Sequence, residues 1–191
     1  MSSPYTLQRE SMADIKIQNM VASTVIAKHL DLDKIHEHLD DTKYNPDQFP
    51  GLVYHIAVPK IAFLLFKSGR VICTGAKNIE DIQSAVDQLY PRLKKLGFEV
   101  IKPEIQVQNI VASVDLHVKL NLLELSLALG LENIEYEPEI FPGMVYRLED
   151  PNVVFLFFGS GKIVCTGAKR ERDVERAVDV ITEELGKRGF L

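Results

Sequence analysis

Four cations stand at matching places in two copies of one segment. FLLFKSGRVICTGAK (63–77) returns as FLFFGSGKIVCTGAK (155–169), pairing Arg70 with Lys162 and Lys77 with Lys169 and keeping Ser68 and Ser160, and Thr74 and Thr166, in step. Cations and hydroxyls bordering an apolar run suit a nucleic-acid groove, where positive groups take phosphates and neutral polar groups reach base edges. Catalysis fits poorly. A phosphate-cradling loop needs GxxxxGK[ST], whereas here Ala76 separates Gly75 from Lys77 and Asn78 follows. Neither paired carboxylates nor a Ser/His/Asp set recurs in both copies, so no enzyme activity is expected. Cys73 and Cys165 are repeat-equivalent and belong to no CxxC or Cys/His pattern, which reads as two reduced core thiols. The five histidines are scattered, and His36 and His38, the only close pair, would point to different faces of a helix. No metal and no other cofactor are expected.

These segments sit in a longer duplication. QNMVAS (18–23) returns as QNIVAS (108–113) and FPGLVY (49–54) as FPGMVY (141–146), so that 20 of 27 aligned positions are identical at offsets of 90 and 92 residues. Two copies at that period are too few and too long for a solenoid, and the pattern predicts a fused pseudo-dimer with a nearly two-fold site. The expected organisation is an N-terminal extension over residues 1–12, poorly ordered, a first repeat over 13–102 and a second over 103–191. No Gly/Ser linker separates the repeats at IKPEIQ (101–106). The net charge of −5 is shared unequally: residues 13–102 carry +1 and residues 103–191 carry −6. One end of a symmetric frame is thereby marked for a different partner. No apolar run reaches the roughly 18 residues of a membrane span, and MSSPYTLQRESMAD lacks the basic and apolar regions of a signal peptide, so a soluble intracellular protein is expected.

The elements that would position the cations follow from periodicity. In the first copy IKIQNMVASTVIA (15–27) is β-branched and strand-like, and LDLDKIHEHL (30–39) places Leu32, Ile35 and Leu39 at helical spacing. Three β-rich runs follow at 51–58, 61–67 and 70–75. A long helix then begins after the N-cap Asn78, presents Ile79, Ile82, Val86, Leu89, Leu93 and Leu96, is interrupted and kinked by Pro91 and stops at Gly97. Adjacent runs joined by SGR and SGK read as antiparallel hairpins, and helices on one sheet face only make the fold α+β. Such sheets usually alternate apolar and polar residues, yet IAFLLF (61–66) and VVFLFF (153–158) are apolar throughout. If Phe63 and Leu65 face the helices, parity sends Leu64 and Phe66, and Leu156 and Phe158, to the bare side together with Arg70, Ile72 and Thr74. An apolar sheet face rimmed by cations is a binding surface, although a second copy of the chain could also cover it.

The doubled QN[MI]VAS, the segments YNPDQFPG (44–51) and YEPEIFPG (136–143), and the doubled SG[RK][VI][IV]CTGAK resemble the TATA-box-binding protein family, from Ile15 to Phe190. FPG in both copies is similar to the archaeal branch. The resemblance implies a two-fold pseudo-symmetric saddle, an antiparallel sheet of about ten strands with four helices on its convex face, which binds and bends A/T-rich promoter DNA through the minor groove. Wedging and kinking are established for that family and are not read from these residues. By position, the resemblance assigns DNA intercalation to Phe49, Phe66, Phe141 and Phe158. Base contacts fall to Asn19, Asn109, Thr74 and Thr166, with apolar contacts from Val21, Val111, Leu64, Leu156, Ile72 and Val164. Phosphate contacts fall to Arg70, Lys77, Arg147, Lys162 and Lys169, with Ser68 and Ser160 beside them. The first copy has His55 where the second has Arg147, which weakens the expected grip there.

The resemblance also implies partners. Glu137, Glu139 and Ile140 match the family's surface for transcription factor B, through which RNA polymerase is reached indirectly. Location would be cytoplasmic and nucleoid-associated in an archaeon, nuclear in a eukaryote. The rival reading is a structural module, homodimeric through its sheet or part of a DNA-repair protein, without promoter function.

Overall fold

The computed structural model describes residues 14–191, and the extension assigned to residues 1–12 lies outside the described residues. The first repeat runs β1 (Asp14–Val25), α1 (Leu32–His38), β2 (Thr42–Lys43), β3 (Leu52–Ile56), β4 (Ile61–Leu65), β5 (Arg70–Ala76) and α2 (Ile79–Lys95). The second repeats that order: β6 (Gln106–Asp115), α3 (Leu122–Leu129), a 3-10 turn (Leu131–Asn133), β7 (Ile134–Glu135), β8 (Met144–Leu148), β9 (Val153–Phe157), β10 (Lys162–Ala168) and α4 (Glu171–Lys187). The strands are hydrogen-bonded in the order β2-β3-β4-β5-β1-β6-β10-β9-β8-β7, a ten-stranded antiparallel sheet. By contact the chain forms two compact units, one of residues 17–112 with 166–171 and the other of residues 14–16, 113–165 and 172–191. No helix among the described residues is long and apolar enough to cross a membrane.

The sheet's alternation follows the parity of the sequence. In β4 Ile61, Phe63 and Leu65 are buried while Ala62 and Leu64 are half-exposed; in β5 Val71 and Cys73 are buried while Ile72 and Thr74 are half-exposed. β9 and β10 repeat this with Phe155, Phe157, Ile163 and Cys165 inside and Leu156, Val164 and Thr166 half-exposed. Helices cover the buried face in each unit. α2 contributes Ile82, Ala85, Val86, Leu89 and Leu93, and α4 contributes Val174, Ala177, Val178, Ile181 and Leu185. Cys73 and Cys165 are buried free thiols, and burial pushes each pKa up to about 12, so neither is a thiolate near neutral pH.

One expectation for α2 needs correction. Ile79 is 39% exposed and Leu96 half-exposed, whereas Ala85 joins the core. A helical side chain leans toward the N-terminus, so the first-turn Ile79 projects past the helix start and away from the core. Pro91 lies inside α2, which runs on past it to Lys95, as the stop expected at Gly97 requires. The start is as expected, with Asn78 Oδ1 accepting from the Asp81 N–H at 2.7 Å.

The hairpin turns explain the doubled SG[RK]. The Gly69 N–H donates to Phe66 O at 2.9 Å and the Phe66 N–H to Arg70 O at 3.0 Å, with Gly69 at φ +80°. A Cβ there would lie 1.7 Å from Ala27 O, and one on Gly161, at φ +85°, would lie 1.7 Å from Val118 O. The chain leaving β1 crosses the hairpin tip, donating from the Ile26 and Leu30 N–H groups to Gly69 O and Lys67 O. Leu116 and Leu120 do the same to Gly161 O and Gly159 O. Gly161→Ala is therefore expected to destabilise the protein by on the order of 2 kcal/mol or more, because a left-handed backbone and a carbonyl both refuse the methyl. Gly186→Ala, in α4 with nothing within 4 Å of the added Cβ, is expected to stabilise by up to about 1 kcal/mol. Urea unfolding of the two variants checks both signs.

Candidate nucleic-acid interface

Two aromatic pairs stand on the half-exposed side of the sheet strands. Phe66 follows β4 and meets Phe49 edge to face, centroids 5.9 Å apart and planes at 68°; Phe158 follows β9 and meets Phe141 at 6.0 Å and 72°. The segments preceding the FPG triplets fix Phe49 and Phe141. Asn45 O accepts from the N–H groups of both Gln48 and Phe49, and Glu137 O from those of both Ile140 and Phe141. Pro46 and Pro138 suit the second position of such turns, where φ is already near the ring's value. The glycine of each FPG lies under the rings. A Cβ on Gly51 would come within 2.5 Å of Phe49 Cε1 and 3.0 Å of Phe66 Cε1, and one on Gly143 within 2.7 Å and 3.1 Å of Phe141 and Phe158. Phe49 and Phe141 stay 39% and 38% exposed, so each pair is an apolar wedge held against its neighbour yet open to a ligand.

On this side of each unit the strand pairing makes a row structure explicit. Val53, Leu64, Ile72 and Ser23 are successive partners across β3, β4, β5 and β1, and His55, Ala62 and Thr74 form the next row. In the other unit Val145 faces Leu156 and Arg147 faces Val154. Val53, Ala62, Val145 and Val154 are half-exposed on this face and were not among the expected residues, although the same parity reaches them. Val21 and Val111 are half-exposed on β1 and β6. Ser23 is buried, its hydroxyl accepting from Gln108 Nε2 at 2.8 Å.

The amides are held by a device that the sequence did not disclose. The β1–β5 register shifts between Met20, opposite Ala76, and Ala22, opposite Cys73, leaving an extra residue on β5. Gly75 occupies this bulge at φ +102°, where glycine is favoured. Its N–H donates to Asn19 Oδ1 at 2.8 Å. In the second repeat Gly167, at φ +106°, donates to Asn109 Oδ1 at 2.7 Å. A backbone N–H can only donate, so the amide oxygen must face it and the nitrogen must face away. Asn19 Nδ2 lies 3.2 Å from Thr74 Oγ1 and Asn109 Nδ2 3.1 Å from Thr166 Oγ1. Each site therefore presents a half-exposed amide–hydroxyl pair whose nitrogen is oriented as a donor.

The cations are placed less uniformly. Arg70 and Lys162 open β5 and β10, Lys77 and Lys169 follow those strands, and all four are exposed without an ion pair among the described residues. Arg147 is exposed but engaged, its guanidinium 3.0 Å from Glu135 Oε1. His55 is exposed on the same face as Ala62. Ser68 and Ser160 lie exposed in the hairpin turns, Ser160 Oγ accepting from the Lys162 N–H at 3.5 Å. Glu137, Glu139 and Ile140 are exposed on the turn before Phe141, Ile140 to 81%.

Known proteins resemble this chain over nearly its whole length. The protein is 54% identical to the TATA-box-binding protein of Picrophilus torridus over 181 residues, 94% of this chain and 98% of that one. It is 55% identical to that of Archaeoglobus fulgidus over 178 residues, 93% and 97% of the two chains. The solved structure of Methanococcus jannaschii TBP superposes with a TM-score of 0.83 at 48% identity, covering 91% of this chain and 99% of that one. The family model described as transcription factor TFIID, or TATA-binding protein, matches twice, at residues 14–96 and 104–188, and the chain belongs to the TATA-box-binding protein family.

Proposed function

We propose that the half-exposed sheet face binds A/T-rich promoter DNA through the minor groove, and that the two phenylalanine pairs wedge base steps and bend the duplex. As a family member the chain is a general transcription factor for TATA-containing DNA. The observation that carries the finer reading is the pair of locked amides. The minor groove shows adenine N3 and thymine O2, acceptors placed alike in A·T and T·A, and guanine adds an amino donor. Asn19 and Asn109, oxygens occupied by glycine N–H groups, meet those acceptors with nitrogen. Val21, Leu64, Ile72 and their equivalents Val111, Leu156 and Val164 offer a guanine amino group nothing. A/T preference follows from both facts.

The phosphates fall to Arg70, Lys77, Lys162 and Lys169, with Arg147 joining when it leaves Glu135. Transcription factor B docks on the exposed turn at Glu137, Glu139 and Ile140, reading the acidic excess of residues 103–191 through basic groups of its own. RNA polymerase is then recruited through that factor.

Asn19→Asp keeps an oxygen for the Gly75 N–H but replaces the donor nitrogen by a second, charged oxygen. Affinity for an A/T duplex is expected to fall by about 1–3 kcal/mol, or roughly 10- to 100-fold, with the fold intact. Fluorescence anisotropy beside a thermal melt measures both, and unchanged affinity would remove the amide from recognition.

Phe158→Ala is expected to reduce affinity and bend angle together, since unstacking a base step costs about a few kcal/mol in minor-groove binders, this family among them, and needs an apolar group in the gap. Circular permutation gels report the angle. A variant that bends DNA normally, or that unfolds, would place Phe158 in the core instead.

Four unpaired cations predict that log K falls against log salt with a slope near about −3.6, from roughly −0.9 per phosphate. If Arg147 exchanges Glu135 for a phosphate, the slope reaches about −4.5. Lys169→Ala should flatten it by about one unit without changing sequence preference. A slope near zero would remove phosphate contacts from the account.

A further inference from the structure

Helix α3 is apolar almost all round. Its eight residues, LLELSLAL, include five leucines, of which Leu122 and Leu125 are buried. Ser126 is buried beside them and donates to Leu123 O at 2.8 Å. The core-facing side is thus filled, yet Leu123 is 61% exposed, Leu127 67% and Leu131 67%. Leu123 and Leu127, four apart, share one helix face, and Leu131 follows directly after the cap Gly130. A helix apolar on every side is ordinarily enclosed, and neighbouring exposed leucines mark a contact surface.

The duplication supplies an internal control. At the offset of 90 residues that holds across α1 and α3, Leu123 and Leu127 correspond to Asp33 and Glu37, both exposed. The same scaffold therefore carries acids at these two positions in its first copy, and folding does not demand leucine there. The surroundings say what would cover the ridge. From Leu120 to Tyr146 there is no Lys or Arg, whereas Glu124, Glu132, Glu135, Glu137 and Glu139 all fall in that span, and Arg188, which the fold brings to Ala128 O of α3, is itself paired with Glu184. Of these five only Glu135 is ion-paired among the described residues. Two copies of the ridge face to face would oppose like charges, and an anionic lipid surface would be repelled; a cationic border would be attracted.

We propose that the α3 ridge is a docking site for a partner protein presenting an amphipathic helix whose leucine-like stripe is bordered by Lys and Arg. The stripe packs on Leu123 and Leu127 and the cations approach Glu124 and Glu132, a helix-on-helix mode in which the apolar stripe gives affinity and the border gives selectivity. None of the residues assigned to DNA takes part, so the inference stands independently of the minor-groove reading.

The full chain is titrated with a labelled designed helix of about 18 residues, long enough to hold a helical stripe, bearing leucines at i, i+4 and i+7 and a Lys border, and with its isomer in which every Lys is Glu. The Lys peptide is expected to bind at least about ten-fold tighter than the Glu peptide, a difference that shrinks as salt rises. Leu123→Asp with Leu127→Glu, the residues of α1 at those positions, is expected to cost the Lys peptide about ten-fold or more while A/T-duplex binding is unchanged. If that double variant also loses duplex binding, Leu127→Gln alone carries the same comparison. Equal binding of the two peptides, or binding indifferent to these substitutions, overturns the proposal. So does a dimer in sedimentation that the substitutions convert to monomer, which would make a second copy the occupant.

Discussion

Side chains on a β-strand can face only two ways, and in β4 and β9 both ways are apolar. One of those faces is satisfied within each unit, where α2 and α4 bury it under their aliphatic stripes. The other holds Leu64 and Phe66, or Leu156 and Phe158, half-exposed in the free protein. Much else serves that open face. The turns at Asn45 and Glu137 deliver a second phenylalanine to it, the glycines of FPG make room for the rings, and the bulges at Gly75 and Gly167 orient the amides. The contact area is apolar and the polar groups within it are already committed in direction. A duplex bound there as proposed would therefore meet little that must reorganise, which is the physical content of preorganisation.

A duplicated frame allows each feature to be compared with its own twin. The phenylalanine pairs agree to within 0.1 Å in centroid separation, and the glycine-to-amide bonds are 2.8 and 2.7 Å. Where the repeats agree so closely, the shared chemistry is that of the sheet face. They part company on charge and on the helices: Arg147 against His55, the acidic turn at Glu137 and Glu139 against NPDQ, and the exposed leucines of α3 against acids around α1. On the reading proposed above, a two-fold ligand would use the first set and a single protein partner the second. The division of labour follows from symmetry: identical surfaces cannot tell one end of a duplex from the other, so direction has to come from residues that differ.

Sequence by itself determined the repeat, the α+β class, the hairpin turns, the Asn78 cap and the parity that separates Phe63 and Leu65 from Leu64 and Phe66. All of these rest on local rules: a period of two along a strand, a side-chain cap three residues away, a glycine at a tight turn. The residues themselves gave only four strand-like segments per copy, and the family resemblance was needed to reach about ten strands. Tertiary structure supplied the two short edge strands Thr42–Lys43 and Ile134–Glu135, too brief for any periodicity, which exist because β3 and β8 offer them open backbone groups. It also decided that Asn19 and Asn109 are donors. That depends on glycine N–H groups 56 and 58 residues further along the chain, and no local pattern carries information over such a separation. The pairing of Arg147 with Glu135, the exposure of Ile79 and the bare leucines of α3 were settled in the same way. Each is a question of what lies beside a residue after the chain has returned to it, and spacing along the sequence fixes a side chain's face but not its neighbour.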